Sequence, residues 1–209
     1  MTNAGVIFDM DGVLVDTTPL CVDITWRLLN RLGIHLAREE LFSFVGISVS
    51  EMWGKLKSEF CIHKSIAELV QDQKHAQLNR ILEMGELPPV SGIEELLIEL
   101  NELGLPCAVA SSSSPELISL LLSKARLNGY FICTVSGEDV PNGKPASDIF
   151  LLAARKLKAN PASCLVIEDS PHGIEGAKAA GMTTIGYKNP TPVAKIFPPQ
   201  MSKYRTLAH

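Results

Sequence analysis

No stretch of this sequence approaches the roughly 18 uninterrupted apolar residues of a membrane-spanning helix, so no membrane partner is expected. Lys and Arg form no run and the formal net charge is −4, which leaves out the electrostatic footprint of phosphate-backbone binding and with it a nucleic-acid partner. The five cysteines (Cys21, Cys61, Cys107, Cys133, Cys164) are odd in number and contain no CxxC pair, which argues against a disulfide framework or a thiolate metal site. Most lie in apolar segments, where Cys behaves as a small hydrophobe, and they read as reduced core residues of a cytoplasmic protein. Internal repeats and low-complexity tracts are also missing, since Ser111–Ser114 is too short to count. The N-terminus passes from Met-Thr-Asn-Ala straight into a strand-like run, so a soluble, unsecreted protein is expected.

What is present suits a fold with a real core. A chain of 209 residues that is 46% apolar can fill one full α/β domain and a smaller partner. Short apolar runs of strand length recur at Val6-Ile7-Phe8, 107–110, 131–135, 164–167 and 183–187, each with little alternation. Amphipathic stretches at 93–103, 115–124, 146–157 and 171–180 separate them, two of them stopped by Gly104 and Gly181. Continuous apolar strands alternating with helices predict a Rossmann-like parallel sheet covered on both faces.

The first strand is not followed by another until Cys107, and the interval reads as wholly helical. Thr18-Pro19 suggests an N-cap and an N1 proline, Leu20, Ile24 and Leu28 follow at helical spacing, and Gly33 supplies a stop. Further helices are predicted over 38–44, 49–60 and 65–84, with Pro88-Pro89 marking the return. The expected fold is α/β, with an all-α cap domain (17–87) inserted into a core made of 1–16 and 88–209. The last twenty or so residues, punctuated by Pro190, Pro192 and Pro198-Pro199, receive no element.

Open parallel sheets bind ligands outside the carboxyl ends of their strands, so the residues found there carry the functional signal. Asp9 and Asp11 follow the first strand, Ser111-Ser112-Ser113 the second, and Glu168-Asp169 the fourth, while Lys144 sits in the loop Asn142-Gly143-Lys144-Pro145. Each has a plain structural explanation: Asp11-Gly12 is a turn signal, serines cap helices, and Glu168-Asp169-Ser170 before Pro171 can cap the next helix. Their joint appearance at one end of successive strands is what those explanations leave over. Carboxylates gathered on different strand ends repel unless a cation lies between them, and a hard, oxygen-liking ion such as Mg²⁺ suits them. With that charge screened, Asp9 can attack phosphorus while Asp11 handles the proton. Lys144 and Ser111 are placed to hold the equatorial oxygens.

These residues carry a resemblance. Phe8-Asp9-Met10-Asp11-Gly12-Val13-Leu14-Val15-Asp16-Thr17 resembles the first motif of the haloacid dehalogenase superfamily, and Val109-Ala110-Ser111-Ser112-Ser113 its second. Gly143-Lys144-Pro145 is similar to its lysine motif, and Ile167-Glu168-Asp169-Ser170 with Gly173 and Gly176-Ala177 to its acidic fourth motif. Order and spacing match up to about Tyr187, and the helical insertion resembles the small cap of the branch holding β-phosphoglucomutases and sugar-phosphate phosphatases. The resemblance implies that Asp9 and Asp169 ligate Mg²⁺ by side chain, Asp11 through its backbone carbonyl and Glu168 through a water.

In the insertion the sequence departs from the mutase pattern. The histidine found twelve residues after the nucleophile in β-phosphoglucomutases is replaced by Cys21, and Val45-Gly46-Ile47-Ser48 is followed by Val49 rather than an arginine. Without a cationic clamp for a second phosphate, water becomes the acceptor. The expectation is a phosphatase for a small phosphate ester, a sugar or polyol phosphate, working through an aspartyl-phosphate as a monomer or weak homodimer. A β-phosphoglucomutase-type mutase is the alternative, and a non-catalytic binding protein of the same fold a third reading. Dehalogenation needs neither Asp11 nor a metal, and the Schiff-base lysine of phosphonate cleavage is poorly matched by Lys74. Ser112, with Gly46, Ser48 and Lys74 of the cap, are the candidates for substrate contact. Trp26 and Trp53 read as cap packing, His63 and His75 as surface residues, and Asp16 as the hinge between core and cap.

Overall fold

The computed structural model describes residues 4–45 and 47–188. Five strands, β1 (Gly5–Phe8), β2 (Cys107–Ser111), β3 (Cys133–Ser136), β4 (Cys164–Glu168) and β5 (Thr183–Gly186), form one sheet in the order β3-β2-β1-β4-β5. Every pairing is parallel. The helices are α1 (Thr18–Arg31), α2 (Val49–Phe60), α3 (Ile66–Glu83), α4 (Ile93–Glu102), α5 (Pro115–Lys124), α6 (Asp148–Leu157) and α7 (Pro171–Ala179). Short 3₁₀ turns link several of them, including Arg38–Phe44, which closes as 3₁₀ rather than α.

Alternation along the strands explains why both sheet faces are covered. Val6, Phe8, Val109 and Ile167 point to the side packed by α4 and α5, where Leu97, Ile118 and Leu121 meet them. Ile7, Ala108, Ala110 and Val166 point to the other, under Ile149, Phe150 and Ala153 of α6 and Ala177 of α7. Each fully buried aliphatic side chain contributes about 1.5–3 kcal/mol, so the two layers together hold the sheet. The alanines of β2 leave room for α6 to lie close.

The helical interval has its own apolar cluster, in which Val22, Leu29, Leu41, Trp53, Leu56 and Leu69 are buried. The far end of α3 joins the sheet side instead, packing on α5, with Ile81 buried in the apolar layer on that face. Both crossings of the chain into and out of this interval are pinned together. Val15 bridges Pro89, and the Val90 N–H donates to Leu14 O at 2.9 Å.

Several local expectations shift. The strand expected from 131 starts at Cys133, because the Phe131 ring turns edge-on to Phe8 at 5.9 Å and packs rather than extending the strand. The helix expected from 146 starts at Asp148 after a turn in which Ala146 N–H donates to Gly143 O. The N-cap of α1 is Thr17, not Thr18, and its hydroxyl makes no cap bond; Asp16 Oδ1 accepts from the Thr18 N–H at 3.3 Å instead. Cys107 and Cys164 are buried and all five thiols are free, but Cys61 is exposed, against the reading of core cysteines. It ends α2 in a left-handed conformation at φ 51. The proline-punctuated tail beyond residue 188 and Gly46 lie outside the described residues.

Candidate active site

The strand order reverses at β1, with β2 on one side and β4 on the other, and a crevice opens at their carboxyl ends. Asp9 leaves β1 into that crevice. Lys144 reaches the same point from the loop before α6 and lies between two carboxylates, with its Nζ 2.5 Å from Asp9 Oδ1 and 2.6 Å from Glu168 Oε1. It also donates to Ala110 O at 3.0 Å, so all three ammonium protons have acceptors on β1, β2 and β4.

Glu168 is fully buried at the end of β4, and both its oxygens are engaged. Oε1 takes Lys144, and Oε2 accepts from the Ser170 N–H at 2.7 Å and its hydroxyl at 2.9 Å. The N-terminal end of α7 lies beside it, through the Ser170 N-cap that Glu168 contacts. Asp169 sits at the rim, and ligand oxygens of Asp9, Glu168 and Asp169 all lie within 4.8 Å of one another.

Burial pushes the Asp9 carboxyl up to about 8, with Glu168 and Asp11 adding to the rise and Lys144 opposing it. Partial burial pushes Asp169 up to about 6, reinforced by Glu168 and Asp11. Burial alone would pull Lys144 down, but Asp9 and Glu168 outweigh it and hold the ammonium above its ordinary range. The carboxylates are thus short of positive charge even with the lysine in place. An all-oxygen donor set in that condition fits a hard divalent cation.

Asp11 is held apart from this cluster by hydroxyls. Thr17 Oγ1 donates to its Oδ1 at 2.5 Å, Ser113 Oγ to Oδ2 at 3.2 Å, and Ser111 Oγ to Oδ2 at a long 3.5 Å. Ser111 is itself buried and accepts from the Ser113 N–H at 3.1 Å.

Two glycines make this packing possible. Gly12 has φ +85, and a Cβ on it would fall 2.0 Å from Asp169 Oδ2. A Cβ on Gly173, in the first turn of α7, would fall 1.7 Å from Glu168 Oε1. Gly173→Ala is therefore expected to drive Glu168 off Lys144 and destabilise the protein by roughly 2–4 kcal/mol in urea denaturation. Gly85→Ala, with nothing within 4 Å of its Cβ, is the control and should change little. Equal stability of the two variants would show that Glu168 has another resting place.

Over residues 6–187 the sequence matches the haloacid dehalogenase-like hydrolase family. The chain belongs to that family. This hydrolase is 32% identical over 182 residues to the phosphorylated carbohydrates phosphatase of Thermotoga maritima, spanning 86% of this chain and 82% of that one. It is 29% identical over 185 residues to the fructose-1-phosphate phosphatase YqaB of Escherichia coli, spanning 87% and 95%. In structure it is similar to the β-phosphoglucomutase of Clostridium difficile, with a TM-score of 0.75 and 26% identity over 90% or less of either chain, namely 89% and 84%.

In this hydrolase a cleft of ≈ 680 Å³ runs from Asp9 toward the helical insertion and brings most of the predicted residues together. Asp9, Asp11, Lys144, Glu168, Asp169 and Ser112 line it on the sheet side. Ser48 lines it from the helical side, where its hydroxyl also caps α2 by accepting from the Glu51 N–H. Gly46 falls outside the described residues. Lys74 reaches the cleft from α3 but its ammonium is 2.9 Å from Glu138 and 3.8 Å from Glu116 on the sheet side. Trp53 is fully buried and Trp26 is half-buried under the Arg38 guanidinium, so both tryptophans pack; His63 and His75 are exposed.

Sequence reasoning assigned no role to Thr17, Ser113, Gln73 or Gln77, although all four line the cleft. A hydroxyl six residues beyond Asp11 was a usable signal for Thr17. The two glutamines, one turn apart on α3, were legible as a shared face.

Proposed function

We propose that this hydrolase is a Mg²⁺-dependent phosphatase of a small phosphorylated metabolite, a sugar or polyol phosphate, acting through an aspartyl-phosphate. The observation that carries the reading is Asp9, a carboxylate at the switch point of the sheet, gripped by Lys144 and backed by Glu168 and Asp169. The phosphatases among its relatives support it.

Asp9 attacks phosphorus while Asp11, whose carboxyl is steadied by Thr17 and Ser113, gives a proton to the departing alkoxide oxygen. Asp11 then takes a proton from the water that attacks the aspartyl-phosphate, releasing inorganic phosphate and restoring Asp9. Lys144 and Ser111 hold the phosphoryl oxygens in both steps, and Ser112 contributes beside them. Asp9, Asp169, Glu168 and the Asp11 backbone carbonyl would hold Mg²⁺, which supplies positive charge to the phosphoryl group. The helical insertion, 17–87, acts as the cap, with Asp16 at its hinge and Ser48 and Lys74 on the substrate side. Hydrolysis is preferred over mutase chemistry because the lysines lining the cleft, Lys74 and Lys144, are both already ion-paired. The cleft thus offers little grip for a second phosphate.

The test is phosphate release from hexose, pentose, polyol and nucleoside monophosphates with Mg²⁺. Release confined to the metal-loaded enzyme is the expected result, and silence across the panel would sink the reading. The metal site can be checked separately by its protons. Burial holds Asp9 at about 8 and Asp169 at about 6, so a cation must displace protons from them below those values. The rise in Tm caused by Mg²⁺ should accordingly be larger at pH 8 than at pH 6. A shift independent of pH would place the ion elsewhere.

A further inference from the structure

Gln73, on the cleft wall formed by α3, is only 2% exposed, and its Oε1 accepts the Trp53 indole N–H at 2.7 Å. An indole nitrogen can only donate, so this bond sets which way the carboxamide faces: oxygen toward Trp53, NH₂ away from it. Trp53 is itself fully buried and cannot turn to release the oxygen. Among the described residues nothing accepts from that NH₂. Yet the only buried side-chain polar atom left without a partner there is Thr184 Oγ1. The Gln73 NH₂ is therefore not sealed in protein, and it opens onto the cleft that Gln73 lines.

Its surroundings say what it can meet. One turn along, Gln77 shares the same face of α3, and its Nε2 donates to Cys21 Sγ at 3.1 Å, leaving its carbonyl oxygen as an acceptor. Between them Lys74 is neutralised by Glu138 and Glu116, whose carboxylates repel a further anion. The rest of that wall carries no charge: Val22, Leu41, Met52 and Val70 are apolar, and Thr25, Ser48 and Ser50 are its neutral polar residues. A fixed donor and a neighbouring acceptor in a neutral wall match a carbonyl or hydroxyl group.

We propose that Gln73 is a specificity-determining residue: its NH₂ donates to a carbonyl or hydroxyl oxygen on the leaving group of a phosphate monoester whose organic part is uncharged. This rests on the phosphatase reading and adds to it how the leaving group is selected. A site built around a buried donor rejects a substrate without the matching acceptor, because the donor is then left unpaired.

The test compares the best substrate among hexose, pentose and polyol monophosphates with phenyl phosphate, whose leaving group has no polar substituent. Gln73→Met removes the donor, and Gln73→Glu keeps the shape and the acceptor for Trp53 while replacing NH₂ by oxygen, so it serves where Gln73→Met fails to fold. In either variant the ratio of kcat/KM for the polar substrate to that for phenyl phosphate should fall at least about tenfold. An unchanged ratio, whether both activities drop together or neither does, overturns the role of Gln73 while leaving the phosphatase intact. Equal preference of the unaltered enzyme for the two substrates overturns it as well. No phosphate release from any ester by the unaltered enzyme overturns the phosphatase reading, and the role of Gln73 with it.

Discussion

Asp9→Asn should remove phosphate release by at least about 10³-fold, the scale of loss when a covalent nucleophile is taken out. The carboxamide has the size and shape of the carboxylate and keeps an oxygen for Lys144, so the change is confined to charge and nucleophilicity. Folding should survive it. The Asp9 carboxyl is pushed up to about 8 by burial, which marks its ionised form as unwelcome in the folded protein, and the neutral amide escapes that penalty. The check is phosphate release in parallel with thermal melting, with and without Mg²⁺. Activity within tenfold of the unaltered enzyme would show that Asp9 is not the attacking group, and loss of folding would move its role to structure.

Lys144→Met should damage both stability and activity. Lys144 is buried and touches Asp9 and Glu168 at 2.5 and 2.6 Å, so its removal strands two carboxylates that α7 and the sheet hold in place. Breaking a buried pair in this way costs about 3–5 kcal/mol. The loss should depend on pH in a definite direction. Lys144 pulls the Asp9 value down, so without it the folded carboxyl moves still further above the ordinary value of 3.8. A group with a raised folded value contributes most below its unfolded value, and that contribution drains away as pH rises toward the folded one. The unaltered Asp9 stops losing stability once the pH passes about 8 while the variant goes on, so the deficit should be larger at about pH 9 than at about pH 7 in urea, and Mg²⁺ should restore part of it. Phosphate release should fall about 10²-fold or more with the loss of a cation on the phosphoryl oxygens. A deficit equal at the two pH values would mean that the lysine matters through packing on Phe150, 5.2 Å from its Nζ, rather than through charge.

The legible parts of this protein are those written in short-range patterns. Val6-Ile7-Phe8, 107–110 and 164–167 are apolar on consecutive positions and became the central strands, buried on both faces, while the run at 183–187 became the edge strand Thr183–Gly186, which stays largely exposed. Helices α2 and α5 begin and end at the predicted residues, because Ser48 and Ser114 cap them and the cap is a local bond. Boundaries moved where a distant partner competed. Phe131 left its strand for Phe8, and Thr17 gave its hydroxyl to Asp11 rather than to the helix it precedes.

The sequence by itself determined a parallel α/β core with a helical insertion, and it set Asp9, Asp11, Ser111, Lys144 and Glu168-Asp169 at strand ends and adjoining loops. Hydrophobic period and strand-end position are properties of a few neighbouring residues. The tertiary structure alone decided the partners: Lys144 with Asp9 across 135 positions, and Lys74 with Glu138 across 64. It also decided that Gln73 faces the cleft nitrogen-first, because a buried Trp53 takes its oxygen. Such pairings depend on how helices stack over the sheet, and side-chain bonds between distant segments leave no periodic trace in the chain.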